Sequence, residues 1–104
     1  MPLSKTQYQS YFKKGFLPNQ YYLDFEQASL QPEIHPHGGY IPLNWQRTKR
    51  IRAHFKPELQ WKQCIESCTA SKFVLILSEF WCGDASQIVP VITQLLDLNK
   101  LIEV

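Results

Sequence analysis

The sequence predicts an α/β protein in which a helical amino-terminal region, residues 1–70, leads into a β-α-β segment, residues 71–104, the two forming one compact unit. Three observations predict it. Up to residue 70 the apolar residues recur at helical spacing between start and stop signals. Residues 73–77, Phe-Val-Leu-Ile-Leu, are instead a continuous, partly β-branched apolar run of the kind that forms a strand buried on both faces. A polar break, a long amphipathic helical pattern and a second apolar stretch then complete a β, turn, α, β order.

The elements follow in chain order. Ser4 and Gln7 have capping-box spacing, Tyr8, Tyr11 and Phe12 fall on one face, and Gly15 is a stop, which together predict a short first helix. Asn19 is the expected cap of a second, with Tyr22, Leu23, Phe25 and Leu30 as its apolar stripe and Pro32 ending it. Residues 31–42 hold three prolines and two glycines and read as an extended loop. Asn44 is the expected cap of a third helix, with Trp45, Thr48, Ile51 and Phe55 facing one way. Pro57 suits the first turn of a fourth, in which Trp61, Cys64, Ile65 and Cys68 share a stripe. The strand at 73–77 follows, then a helix to about Leu98 with Ile88, Val89, Ile92, Leu95 and Leu96 on a broad apolar face. Residues 101–104 begin another strand.

A chain of 104 residues with 44% hydrophobic and 19% charged residues is large enough for one domain with a modest core. Aromatic residues make up 13%, which argues against a disordered chain. The longest apolar run is far too short to span a bilayer, and the first fifteen residues lack the apolar region of a secretory signal. A cytoplasmic location without membrane contact is therefore expected. There the three cysteines would be reduced thiols, and their odd number excludes a fully paired disulfide framework within one chain. The net charge of +2 hides a basic stretch containing Arg47, Lys49, Arg50, Arg52 and Lys56. Its interleaved Ile51 and Phe55 make it the solvated face of an amphipathic helix, and nucleic-acid binding is not expected of it.

The residue types at the strand-to-helix turn carry the chemistry. A thiol at Cys82 would lie in the first turn of a helix, where unpaired backbone N–H groups and the macrodipole favour a negatively charged sulfur. Gly83 leaves room for a substrate sulfur or backbone to approach, and Trp81 offers an apolar wall. Asp84 acts in the opposite sense, because a carboxylate in the same turn competes for those N–H groups and repels the sulfur's charge. The plainer alternative is an inert Cys82 beside an Asp84 that merely caps the helix.

The string Phe-Trp-Cys-Gly-Asp-Ala-Ser-Gln-Ile-Val-Pro, residues 80–90, resembles the active-site segment of the thioredoxin superfamily, in which Trp-Cys-Gly-x-Cys opens a helix kinked by a later proline. Trp81, Cys82, Gly83 and Pro90 match, as does the apolar strand before them. The segment looks most like that of bacterial thioredoxin-like proteins with Trp-Cys-Gly-Asp and a helical extension ahead of the fold. The resemblance covers about the last third of the chain and implies an incomplete thioredoxin-like β-α-β unit. It also implies Cys82 as the catalytic residue, with Trp81, Gly83, Asp84, Ala85 and Pro90 as its neighbours and no cofactor.

Three departures qualify the implied activity. Ala85 replaces the resolving cysteine, Ile76 stands where the family has a buried acid, and the sequence stops before the later strand that begins with a cis-proline. A monothiol oxidoreductase that forms mixed disulfides with protein thiols or glutathione is the implied function. The alternative is a redox-inactive binding or scaffold protein derived from the same fold. An unpaired edge at residues 73–77 would make the chain either a homodimer or a fragment of a longer protein.

The other cysteines and the histidines carry weaker signals. Cys64 and Cys68, at i and i+4 on one stripe, point the same way and suit a disulfide poorly, so they are expected to be core thiols. With His35 and His37 they form no standard zinc spacing, and no metal is expected.

Overall fold

The computed structural model describes residues 2–104. Ser4 opens helix α1 (Lys5–Lys14) with the reciprocal box read from the sequence: its hydroxyl accepts from the Gln7 N–H at 3.2 Å, and its own N–H donates to Gln7 Oε1 at 2.8 Å. The Gly15 N–H closes the helix on the Phe12 carbonyl. No residue of α1 is buried, and Phe12 meets Phe73 edge to face at 5.3 Å.

Helix α2 (Pro18–Leu30) starts earlier than the expected Asn19 cap. Pro18 takes the first turn, where its missing N–H costs nothing and its fixed φ is already helical. Of the expected stripe Tyr22 and Phe25 are buried together with Ala28, whereas Leu23 and Leu30 are exposed.

Residues 31–42 are not an extended loop. They form two 3-10 turns, Pro32–Ile34 and Gly38–Tyr40, and then enter a helix. The folding-back leaves no space at Gly38, where a Cβ would lie 1.7 Å from the Pro32 carbonyl oxygen. His37, just before it, holds the left-handed conformation at φ 52°, uncommon for a residue with a side chain.

Helix α3 (Ile41–His54) begins at Ile41 with Pro42 in its first turn, so Asn44 lies inside the helix and is not its cap. It is also 2% exposed. Helix α4 (Leu59–Glu66) has Glu58 as its N-cap residue, without a side-chain cap, which places Pro57 outside the first turn. It buries none of its residues. Cys64 is exposed and Cys68 half-buried, which corrects the expectation of core thiols. The helical stripe is present, but α4 packs chiefly against a single neighbour, the helix at residues 83–96, and no second layer covers it. Its carboxyl end is held by Asn99, whose Nδ2 donates to the carbonyls of Ile65 and Cys68, both at 2.9 Å.

Strands β1 (Lys72–Phe73) and β2 (Ile102–Glu103) pair in parallel, Lys72 opposite Ile102 and Phe73 opposite Glu103. A last bond runs from the Val74 N–H to the Glu103 carbonyl at 2.7 Å. The expected strand at 73–77, buried on both faces, is therefore only partly formed. Phe73 is 67% and Leu77 83% exposed, because among the described residues β1 has a strand neighbour on one side alone.

Helix α5 (Gly83–Leu96) follows, with Cys82 as its N-cap residue and Pro90 buried in its interior. A proline there deprives the carbonyl four residues earlier of its helical donor. That carbonyl belongs to Ser86, and the Thr48 hydroxyl of α3 donates to it at 2.7 Å. α3 thus supplies the bond that the kinked helix lacks, and it packs against both α2 and α5. The core gathers around it: Tyr22, Phe25 and Ala28 of α2 with Ile41 and Trp45 of α3, and Tyr21 and Phe80 packed against them. The chain is mostly helical with one small two-stranded sheet. No helix of the described residues is long and apolar enough to cross a membrane.

Candidate functional site around Cys82

The segment before α5 is held from below by aromatic packing. Phe80 stacks on Phe25 with ring centres 4.8 Å apart and contacts Tyr21 at 5.4 Å. Its carbonyl accepts from Asn44 Nδ2 at 3.1 Å, so the backbone two residues before Cys82 is tied to α3. A turn closes from the Cys82 N–H to the Glu79 carbonyl at 3.2 Å, and the Cys82 carbonyl accepts the first helical bond from Ser86 at 3.1 Å. Cys82 has extended backbone angles, φ −82° and ψ 115°, and no side chain caps the helix. Among the described residues the N–H groups of Gly83, Asp84 and Ala85 have no acceptor, as expected of a helical first turn.

Cys82 is half-buried and a free thiol, as are Cys64 and Cys68. It lines a shallow depression of about 390 Å³ with His37, Tyr40, Trp81, Gly83 and Asp84. Trp81 is 40% exposed and forms one wall, its ring centre 5.0 Å from that of His37. His37, with its left-handed backbone, carries an imidazole from the 3-10 region to the cysteine loop. Asp84 is exposed and makes no ion pair among the described residues. Ala85 is half-buried and carries no thiol to answer Cys82, and Pro90 lies deeper, under the α3 contact.

The structure brings Trp81, Cys82, Gly83 and Asp84 into one depression and leaves Cys64 and Cys68 out of it. His35 and His37 form no metal-binding group with them, and no cluster of three or more His, Cys, Asp or Glu suited to a metal occurs among the described residues. Beneath the site the Tyr21 hydroxyl lies 2.8 Å from Ser78 Oγ. Burial raises the Tyr21 pKa against the opposing Ser78 hydrogen bond, with smaller upward contributions from Tyr22, Cys82 and Glu79.

Three residues of α3 and one of the preceding turn were not legible as site residues. Asn44, Arg47 and Thr48 are spaced i, i+3, i+4 and face the first turns of α5: Asn44 binds Phe80, Thr48 binds Ser86, and Arg47 Nη1 would lie 3.4 Å from a Cβ placed on Gly83. Their spacing was the available signal, obscured by the reading of Asn44 as a cap and of Arg47 as part of a solvated basic face. His37 is the fourth.

A family model described as thioredoxin matches residues 38–104, which takes in α3 and α4 as well as the β-α-β segment. No curated protein and no solved structure matches the chain.

Proposed function

Since that match spans more than half of its length, the chain belongs to the thioredoxin family, and from this premise we propose that it performs thiol–disulfide exchange through Cys82 as a single active cysteine. The observation that carries the reading is the place of Cys82 at the N-cap of α5, beside N–H groups without acceptors and open to a depression walled by Trp81. Negative charge that develops on sulfur there meets the positive end of a 14-residue helix.

The reaction runs in two exchanges. The deprotonated sulfur of Cys82 attacks one sulfur of a disulfide; a bond from Cys82 to that sulfur forms as the original S–S bond breaks, and the departing thiolate takes up a proton. With Ala85 in place of a resolving cysteine, an external thiol then attacks the mixed disulfide, releases Cys82 and leaves a new disulfide between itself and the substrate. Glutathione or a protein thiol supplies that second sulfur. The bacterial Trp-Cys-Gly-Asp proteins that the sequence resembles, and a cytoplasmic setting that keeps the three thiols reduced, fit this scheme. Trp81 limits water at the sulfur, Gly83 admits the substrate backbone, and Pro90 and Thr48 keep the helix end in place. Asp84 adds an exposed carboxylate to the same helix turn.

Iodoacetamide labelling near neutral pH, mapped peptide by peptide, tests the assignment. Cys82 is expected to label faster than Cys64 and Cys68 even though Cys64 is the more exposed, because reactivity follows the charge on sulfur rather than access alone. Faster labelling of Cys64 or Cys68 would remove Cys82 from the role.

A redox-inactive binding or scaffold role is favoured by a different observation. Beyond Val74 the apolar segment makes no ladder bonds among the described residues, and an apolar groove of about 340 Å³ runs beside it, between Phe12, Phe16, Tyr21 and residues 74–77. An edge of this kind is a template for strand addition. On this reading the chain dimerises at micromolar concentration and Leu77→Lys returns it to a monomer, both read by sedimentation. A wild-type chain that stays monomeric would count against the edge as an interface.

A further inference from the structure

We propose that Arg47 selects disulfides that carry a carboxylate close to the sulfur that Cys82 attacks. The proposal rests on exchange at Cys82 and names the substrate class for that reaction.

The basic residues of the third helix are not equivalent. Lys49 and Arg50 are exposed, and Arg52 lies over the Tyr22 ring at 4.0 Å. Arg47 is half-buried and lies at the cysteine loop, its Nη1 3.4 Å from where a Gly83 Cβ would be. That nitrogen donates to Asn44 Oδ1 at 3.2 Å. Asn44 itself has no freedom to turn: it is 2% exposed, and its Nδ2 is spent on the Phe80 carbonyl, so its oxygen is fixed toward Arg47. One buried amide therefore registers the guanidinium to the backbone that carries Cys82, and little of the cation's ordering is left to be done when a substrate arrives.

The cation held in this way has no counter-charge. Asp84 and Glu79, the acids nearest Cys82 in the chain, do not pair with it; the one ion pair among the described residues joins Lys100 to Asp97. A guanidinium has five N–H donors, and the bond to Asn44 is the one recorded for Arg47 among the described residues. The remaining donors suit a planar carboxylate, which a guanidinium binds through two parallel hydrogen bonds. Gly83 follows Cys82 directly in the chain and is the residue beside which the guanidinium lies, since a Cβ there would meet Nη1 at 3.4 Å. A disulfide with a carboxylate a few bonds from sulfur can reach both groups at once. A cationic disulfide meets repulsion from Arg47.

The test uses the full chain with Cys64→Ser and Cys68→Ser, so that Cys82 is the one thiol, and follows mixed-disulfide formation by intact mass. Dithiodipropionate is the anionic probe and cystamine the cationic one. Arg47→Gln is expected to slow the reaction with dithiodipropionate roughly tenfold, the loss of one well-held charge-assisted contact, while the cystamine rate holds or rises. Arg47→Lys, which keeps the charge and loses the fork, is expected to fall between. High salt should shrink the preference of the parent protein. Equal slowing of both probes in Arg47→Gln would assign Arg47 a purely structural part and overturn the inference, as would an unchanged ratio. Failure of Cys82 to react with either probe in the parent protein would instead overturn the exchange reading itself.

Discussion

Cys82→Ser is expected to abolish the fast phase of mixed-disulfide formation and leave only slow modification of Cys64 and Cys68, since a hydroxyl does not attack a disulfide and Ala85 offers no second thiol in the helix. The control matters as much as the variant. Cys64 is exposed and Cys68 half-buried, so a disulfide reagent in excess reaches them as well, and the comparison must be made on initial rates with the site of modification mapped. The double variant Cys64→Ser with Cys68→Ser is expected to keep the parent rate, because neither residue lines the depression at Cys82. If Cys82→Ser exchanges as fast as the parent and the double variant is inert, the chemistry belongs to the α4 cysteines. The thioredoxin-family fold would then be carrying a different site.

Phe25→Ala is expected to lower stability by about 3–5 kcal/mol, the usual cost of removing a buried phenylalanine. Domains of this kind are stable by about 5–15 kcal/mol in total, so the loss takes a large share. The ring is 1% exposed, stacks on Phe80 at 4.8 Å, lies against Trp45 at 5.2 Å and contacts Tyr21 at 5.9 Å. The rings around it belong to α2, α3 and the cysteine loop, so the cavity would open where three segments meet. Urea unfolding followed by tryptophan fluorescence measures the effect. A loss below about 1 kcal/mol would place Phe25 among ordinary positions and contradict the core described here. Phe80 leads directly into Trp81 and Cys82, so the variant is also expected to slow exchange before it unfolds the chain.

The two variants act on different levels. One removes the sulfur proposed to react, and the other removes the floor on which the loop carrying it rests. Thr48 belongs with the second kind, because its hydroxyl satisfies the Ser86 carbonyl that Pro90 leaves without a helical donor.

Much of the site was legible in the sequence because its determinants are local. The turn from an apolar run into an amphipathic pattern, with Trp-Cys-Gly between them, places Cys82 at a helix start whatever surrounds it, and α5 begins at Gly83. The Ser4 and Gln7 box was legible for the same reason, since both partners lie within one turn. The helix starts that were misread were also local, but two signals competed. Asn19 and Asn44 are good caps, yet Pro18 and Pro42 lie just ahead of them, and a proline in the first turn extends the helix past the asparagine.

What the sequence by itself determined is the set of elements that neighbouring residues decide: a capped first helix, a thiol at the start of α5, and a proline inside that helix. The tertiary structure alone decided what covers them. The stripe on α4 and the apolar run at 73–77 have the periodicity of buried elements, but burial requires a second layer, and among the described residues Cys64 and Leu77 stay exposed while Phe73 meets Phe12 at its edge and remains 67% exposed. Conversely Asn44 is polar and its position carries no local mark of burial. It is enclosed because α3 lies between α2 and α5, where an amide can bind the Phe80 carbonyl and hold Arg47 at once. Those partners stand 36 residues apart in one case and three in the other, and no helical period relates α3 to the cysteine loop; only the packing of the chain brings α3 against that loop.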